Sequence, residues 1–207
     1  MSRLILREPP ADLHQTPLTV VEIPASSLYR ISSHGTGEPY FGTSQANRFD
    51  DPSASPAGRF GTCYCGFDLT TAIAETILHD ELPAAGRFTV TAREFSSRFL
   101  VRFEAPQERA TLRLADLTGV ALKRLGGDGS ISTVQPYGLP QRWAGAIHAH
   151  PEQVDGMLYM SRHVNDRKAA VIFSRARTRM GRALYGPLTA APGLLHALSE
   201  LQVELCG

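Results

Sequence analysis

Long hydrophobic runs are missing from the 207-residue sequence. No 18-residue apolar stretch occurs, and the opening MSRLILREPPADLH is broken by Arg, Glu and paired Pro. That reads as neither a transmembrane segment nor a signal peptide. Charge of one sign is missing too: Lys and Arg number 21 against 20 Asp and Glu, a net charge of +1. No global field therefore draws the chain to a nucleic acid or a membrane surface, and an anionic ligand must be held by local arginines. Cysteine is scarce, with only Cys63, Cys65 and Cys206. Three thiols without a secretion signal suit a reducing compartment, so a cytoplasmic protein is expected. Cys63 and Cys65 read as small buried residues of a strand. The sequence holds no P-loop, no Rossmann G-x-G-x-x-G and no G-x-S-x-G elbow. Gly126–Gly127–Asp128–Gly129 lacks the flanking strand and helix of a phosphate loop and reads as a turn.

What is present is enough for one core. The hydrophobic fraction of 43% and charged fraction of 20% are those of a single globular domain. Residues 1–17 are Pro-rich and polar and read as a loose arm. TVVEIPASSLYRISS (19–33) begins as a β-branched run. Residues 35–61 are punctuated by Gly and Pro, a long loop of the kind that is uncommon unless it does something. GTCYCGF (61–67) reads as a buried strand, and Asp68 or Thr70 can cap the helix after it. In that helix Leu69, Ala72, Ile73, Thr76 and Ile77 form one face. Glu75 lies about 60° from Ala72 at 100° per residue, on the flank of the buried stripe.

Further on, RFTVTAREF (87–95) and SRFLVRFEA (97–105) read as a hairpin. TLRLADLTGVALKRLGG (111–127) reads as a strand, a cap at Asp116 or Thr118, and a short helix stopped by glycine. LPQRWAGAIHAH (139–150) reads as a helix with Pro140 in its first turn. DGMLYMSRH (155–163) and AAVIFSRA (169–176) read as a strand pair, 177–189 as irregular, and PGLLHALSELQVEL (192–205) as an amphipathic helix. Strands outnumber helices without alternating with them. The expected class is α+β, a single domain with a mixed, mainly antiparallel sheet flanked by helices.

Taken one at a time, the polar residues have ordinary readings. Arg30 can snorkel from a strand end, Arg48 can pair with Asp50 or Asp51, Tyr64 can be core, Glu75 can be solvated, and Ser161 can simply end a strand. His148, His150 and His163 could instead serve a metal-dependent hydrolase, although no carboxylate or Cys stands at a typical metal-site spacing.

Taken together, three blocks resemble the RES domain, a bacterial family named for its Arg, Glu and Ser. Tyr29–Arg30 and then Arg48–Phe49–Asp50 resemble the first. TCYCGFDLTTAIAETI resembles the second, with Tyr64 and Glu75 eleven positions apart. VDGMLYMSRH…AAVIF resembles the third. The insert DPSASPAGRFGT carries a second Arg-Phe pair, so Arg59 competes with Arg48 for the family position; the acidic residue and Pro that follow favour Arg48.

The resemblance implies a fold similar to ADP-ribosyltransferase toxins, with residues 18–207 as the catalytic domain. It implies a toxin of a toxin–antitoxin pair that cleaves the nicotinamide–ribose bond of NAD⁺ with water or phosphate as acceptor. Transfer of ADP-ribose to a protein is the alternative, and NAD⁺ binding without turnover a further one. The partner implied is an Xre-like helix-turn-helix antitoxin that blocks the pocket. No metal, direct nucleic-acid contact or membrane is involved. In that chemistry Glu75 stabilises positive charge on the ribose. Arg30 and Arg48, with Arg59 as candidate, bind pyrophosphate. Tyr64 stacks on nicotinamide, Tyr29 lines the pocket, and Ser161 hydrogen-bonds the ribose or the carboxamide.

Overall fold

A computed structural model describes residues 6–104 and 111–207. Its strands are β1 (Val20–Pro24), β2 (Arg30–Ser32), β3 (Thr62–Gly66), β4 (Phe88–Thr91), β5 (Phe99–Glu104), β6 (Thr111–Leu117), β7 (Gly156–Met160), β8 (Lys168–Phe173), β9 (Arg182–Pro187) and β10 (Val203–Cys206). Its helices are α1 (Leu69–Thr76), α2 (Ala92–Ser96), α3 (Gly119–Arg124), α4 (Gly138–His148), α5 (Arg177–Met180) and α6 (Leu194–Glu200).

The central sheet has the order β1-β6-β7-β8-β3, antiparallel throughout except for the parallel β6–β7 pair. It is covered on both sides, so its inner strands read as unbroken apolar runs. Along β8, Ala169, Val171 and Phe173 face the layer that holds Trp143 and Phe49, while Ala170 and Ile172 face the layer that holds Leu28, Val101 and Phe103. A second antiparallel sheet, β2-β5-β9, closes that opposite layer. The two sheets touch where Tyr29 and Gly66 exchange backbone hydrogen bonds of 2.9 and 2.8 Å. A third cluster joins α1, α2 and α6 to β4 and β5 through Ile73, Phe95, Leu100 and Leu198. The class is therefore the expected one.

Glycine is required at two joints that shape the cleft described below. A Cβ on Gly156 would sit 2.2 Å from the Val171 carbonyl oxygen, so β7 can lie this close to β8 only without a side chain there. A Cβ on Gly66 would lie 2.9 Å from the Ala72 amide nitrogen. Its absence lets α1 start directly off the end of β3. Asp68 then caps α1, its Oδ1 accepting from the Thr71 amide at 2.7 Å.

Four local expectations differ from the structure. Residues 87–105 are not a hairpin: β4 pairs in parallel with β10, more than a hundred residues away, and Ala92–Ser96 turns into α2 around the buried Phe95. Residues 177–189 are not irregular, because α5 and β9 lie there and β9 finds its partner in β5. Residues 192–205 are only half helix, since α6 stops at Glu200 and the remainder becomes β10. The described part of residues 1–17 is not loose. Leu6 and Leu13 are buried, the Trp143 indole donates to the Arg7 carbonyl at 2.9 Å, and Arg142 grips Glu8 with two bonds of 2.6 Å.

Candidate functional site

Where β2, β3, α1 and the 43–51 loop converge they leave a cleft of about 470 Å³, the size of a small-molecule site. Of the residues singled out in the sequence, Tyr29, Arg30, Arg48, Tyr64 and Glu75 all line it. Ser161 stands behind Glu75. Arg59 lies elsewhere.

One wall is made by β2 and β3. The Arg30 guanidinium is fixed by Nε donating to Glu38 Oε2 at 2.7 Å and Nη1 donating to the Tyr64 carbonyl at 3.1 Å. The Tyr29 ring has the Arg102 guanidinium 3.6 Å over its face, a cation–π contact that holds it in place. The Tyr64 hydroxyl donates to Asp50 Oδ1 at 3.1 Å and accepts from the Phe49 amide at 2.9 Å. Burial, and then the Asp50 charge, push its pKa up. It stays a neutral phenol with its ring on the cleft.

The 43–51 loop is organised by Asp50, which is fully buried. Its carboxylate accepts from the hydroxyls of Thr62 (2.6 Å), Tyr64 (3.1 Å) and Ser44 (3.3 Å), and from the Asn47 amide and side chain (3.0 and 3.1 Å). Phe49 is buried too, 4.8 Å from the Tyr159 ring. With Phe49 and Asp50 pinned inward, Arg48 is turned into the cleft at only 8% exposure. Its Nη1 donates to the Val134 carbonyl at 2.8 Å and its guanidinium lies 4.6 Å over the Tyr137 ring. Nη2 is buried with no partner among the described residues. Burial pulls the Arg48 pKa down, helped by the Arg162 charge. A buried cation with an idle donor is expensive unless a ligand completes it.

The opposite wall is α1. Glu75 sits half-buried on its flank, as the helical spacing predicts, and accepts from the Ser161 hydroxyl at 2.5 Å. Ser161 is itself buried, and its oxygen accepts from the amides of His163 (3.2 Å) and Val164 (3.0 Å). It therefore orients the carboxylate rather than facing the cavity.

Arg59 makes a different kind of contact. Its Nε, Nη1 and Nη2 donate to the carbonyls of Ser53, Thr43 and Ala54 at 2.8, 3.0 and 3.1 Å. That guanidinium staples the loop, and it is not among the cleft residues. The histidine trio also comes apart. His148 stacks on Phe60 at 4.0 Å and His150 Nδ1 accepts from the Glu152 amide, both away from the cleft. His163 instead meets His79, ring centroids 4.8 Å apart. Burial, followed by the His79 and Arg162 charges, pushes the His163 pKa down to about 4, so the ring is neutral at pH 7.

Sequence reasoning missed His79, Asp80, Tyr137, Tyr159 and Arg162, all of which line the cleft. The four-residue spacing of Glu75 and His79 was one available signal, since near a helix end it keeps the two on one side. Tyr159 and Arg162 lie within the VDGMLYMSRH block that resembles the family, although only its Ser161 was singled out; Tyr137 comes from a distant segment and carries no such mark.

The sequence pattern of the RES domain matches residues 27–189, which includes every cleft residue named above. No curated protein matches the sequence. Among solved structures, a chain of the M. tuberculosis MbcT–MbcA toxin–antitoxin complex superposes with a TM-score of 0.54 at 14% identity, covering 93% of this chain and 98% of that one. At that identity the likeness speaks for the fold. With the family pattern spanning most of the sequence, the chain belongs to the RES domain family.

Proposed function

We propose that the cleft binds NAD⁺ and cleaves its nicotinamide–ribose bond, and that the chain is the toxin of a toxin–antitoxin pair. The observation that carries this reading is one cleft walled by an oriented carboxylate, Glu75, and by a buried arginine, Arg48, with an unused donor.

In the reaction the bond from the anomeric carbon to the pyridinium nitrogen breaks, and its electron pair leaves with nicotinamide as a neutral base. No general acid is needed. Positive charge develops on the ribose, and Glu75, held by Ser161, stabilises it. Ser161 thus acts through Glu75. Arg48 Nη2 takes a phosphate oxygen and relieves its own unmet donor, and Arg30 adds a second cation to the pyrophosphate. The Tyr64 ring, locked by Asp50, offers a flat face for nicotinamide. Water or phosphate then attacks the ribose, giving ADP-ribose or its phosphate ester and releasing a proton. The chemistry asks for no metal. Arg59 has no part in it.

The match to a toxin–antitoxin complex supports a protein partner. We assign that role to an Xre-like helix-turn-helix antitoxin that blocks the cleft in the cytoplasm. The test is nicotinamide release from NAD⁺ by the purified chain, with and without phosphate, beside Glu75→Gln. Release that falls at least about 100-fold in Glu75→Gln is expected, from the usual cost of losing a transition-state electrostatic partner. Equal release by the two proteins would remove the proposed mechanism.

A further inference from the structure

Glu75 has a second set of neighbours that NAD⁺ cleavage does not use. One of its carboxylate oxygens and one nitrogen from each of His79 and His163 lie within 4.8 Å of one another. The fold brings them there for separable reasons. Glu75 lies in the last turn of α1, and His79 follows four residues later in the turn after that helix. His163 comes from the segment after β7, where the Ser161 hydroxyl donates to Glu75 and its oxygen accepts from the His163 amide. A single serine therefore sets both the carboxylate and the loop that carries the imidazole.

Two imidazoles and one carboxylate are the ligand set of zinc sites that keep an open position. Ligands at about 2.0–2.1 Å from a tetrahedral ion stand about 3.3 Å apart. From their present spacing of up to 4.8 Å, the three atoms would have to draw in by about 1.5 Å. Asp80 Oδ1 lies 3.9 Å from His79 Nε2 and adds negative charge at the same place. Two cations oppose: Arg162 Nε lies 3.2 Å from His163 Nε2 and must release it if that nitrogen is the ligand, and Arg48 shares the cleft. Such a site binds reversibly and more weakly than a structural zinc.

We propose that Glu75, His79 and His163 take one zinc-class divalent cation, and that the bound metal switches the cleft off. Glu75 cannot ligate a cation and face a developing ribose cation together, so metal and substrate compete for one carboxylate. The inhibition rests on the NAD⁺ reading above; the binding does not.

Zn²⁺ titrated into the purified chain against a chromogenic chelator tests the binding. One ion per chain is expected, weakened at least about tenfold in His79→Gln and in His163→Gln, with circular dichroism confirming their folds. Independently of any substitution, the ring ¹⁵N signals of two of the seven histidines should shift on zinc addition, and those two should be His79 and His163. No binding, unchanged affinity in both variants, or shifts confined to other histidines would overturn the site. In the NAD⁺ assay, the zinc concentration that halves the rate should rise at least about tenfold in His79→Gln, measured against that variant's own metal-free rate. Full cleavage by zinc-loaded wild-type protein would overturn the switch. Zinc binding at these residues in a chain that never cleaves NAD⁺ would leave the metal site standing and sink the proposed reaction.

Discussion

Two Arg-Phe pairs stand eleven residues apart on one loop, and the fold treats them in opposite ways. Arg48–Phe49 has its phenyl ring in the core and its guanidinium in the cleft, with one carbonyl partner and one idle nitrogen. Arg59–Phe60 also buries its ring, but all three guanidinium nitrogens that can point outward are taken by loop carbonyls. The residue pair is the same, and the bonding left over is not. An arginine is available to a ligand only where the backbone around it leaves donors unmet, and Asp50 creates that condition by pinning the loop on the far side of Arg48.

The strongest way to break the comparison is to remove each arginine in turn. Arg48→Ala should lower nicotinamide release at least about 100-fold, the usual cost of losing a preorganised charge partner. If Arg48→Ala releases nicotinamide like the wild type, the idle donor has no ligand. Next in size, Asp50→Ala strands the buried hydroxyls of Thr62 and Tyr64 and the donors of Asn47, and should lower stability by about 3 kcal/mol in urea melts. Activity should fall with it as Arg48 loses its setting. A stable, active Asp50→Ala would mean that the loop is held by something other than this carboxylate.

A smaller effect tests the Phe60 side. Burial, and then the Arg175 charge, push the stacked His148 imidazole down to about 4, with Asp51 opposing. Its folded pKa lies below the unfolded value of about 6.5, so the unfolded chain binds more protons between these limits. The stabilisation is complete above about pH 6.5 and is lost as pH falls to about 4. After discounting for the solvent that this half-buried ring still meets, it amounts to about 1–2 kcal/mol. Melts of His148→Phe should show a flatter acid limb than the wild type, and parallel limbs would count against this role. Smallest of all, Arg59→Ala should cost about 1 kcal/mol of stability and leave nicotinamide release within about twofold, since no cleft contact is lost.

The acidic residue and Pro after Arg48 favoured it over Arg59, but the difference in bonding between the two was invisible in the sequence for a physical reason. Which donors remain unmet depends on Val134, Thr43 and Ser53, whose carbonyls are placed by the fold and not by residue type. What could be read was local. The β3–α1 joint followed from a Gly-bounded apolar run and a cap at Asp68 or Thr70, and the β7–β8 pair from two apolar runs. The position of Glu75 on a flank followed from helical angle alone. The failures were non-local: β4 has alternation suited to a hairpin, but its partner is β10, and no property of residues 87–95 names it. His163 looked like a partner for His148 and His150 because they are close in sequence type and number, while the fold delivers His79 from a helix end.

The α1–α6 contact has a consequence for how the protein is made. Thr70 donates to Glu200 at 2.8 Å, Arg167 bridges Asp68 and Glu200, and β10 supplies the second strand beside β4. The helix that carries Glu75 is thus buttressed by residues 194–206. Chains emerge from the ribosome N-terminal end first. Until residues 194–206 have emerged, α1 lacks this outer support and β4 lacks its partner strand, leaving an open edge that can pair with another chain. The setting of Glu75 thus depends on residues 194–206, and a chain cut before them lacks this support.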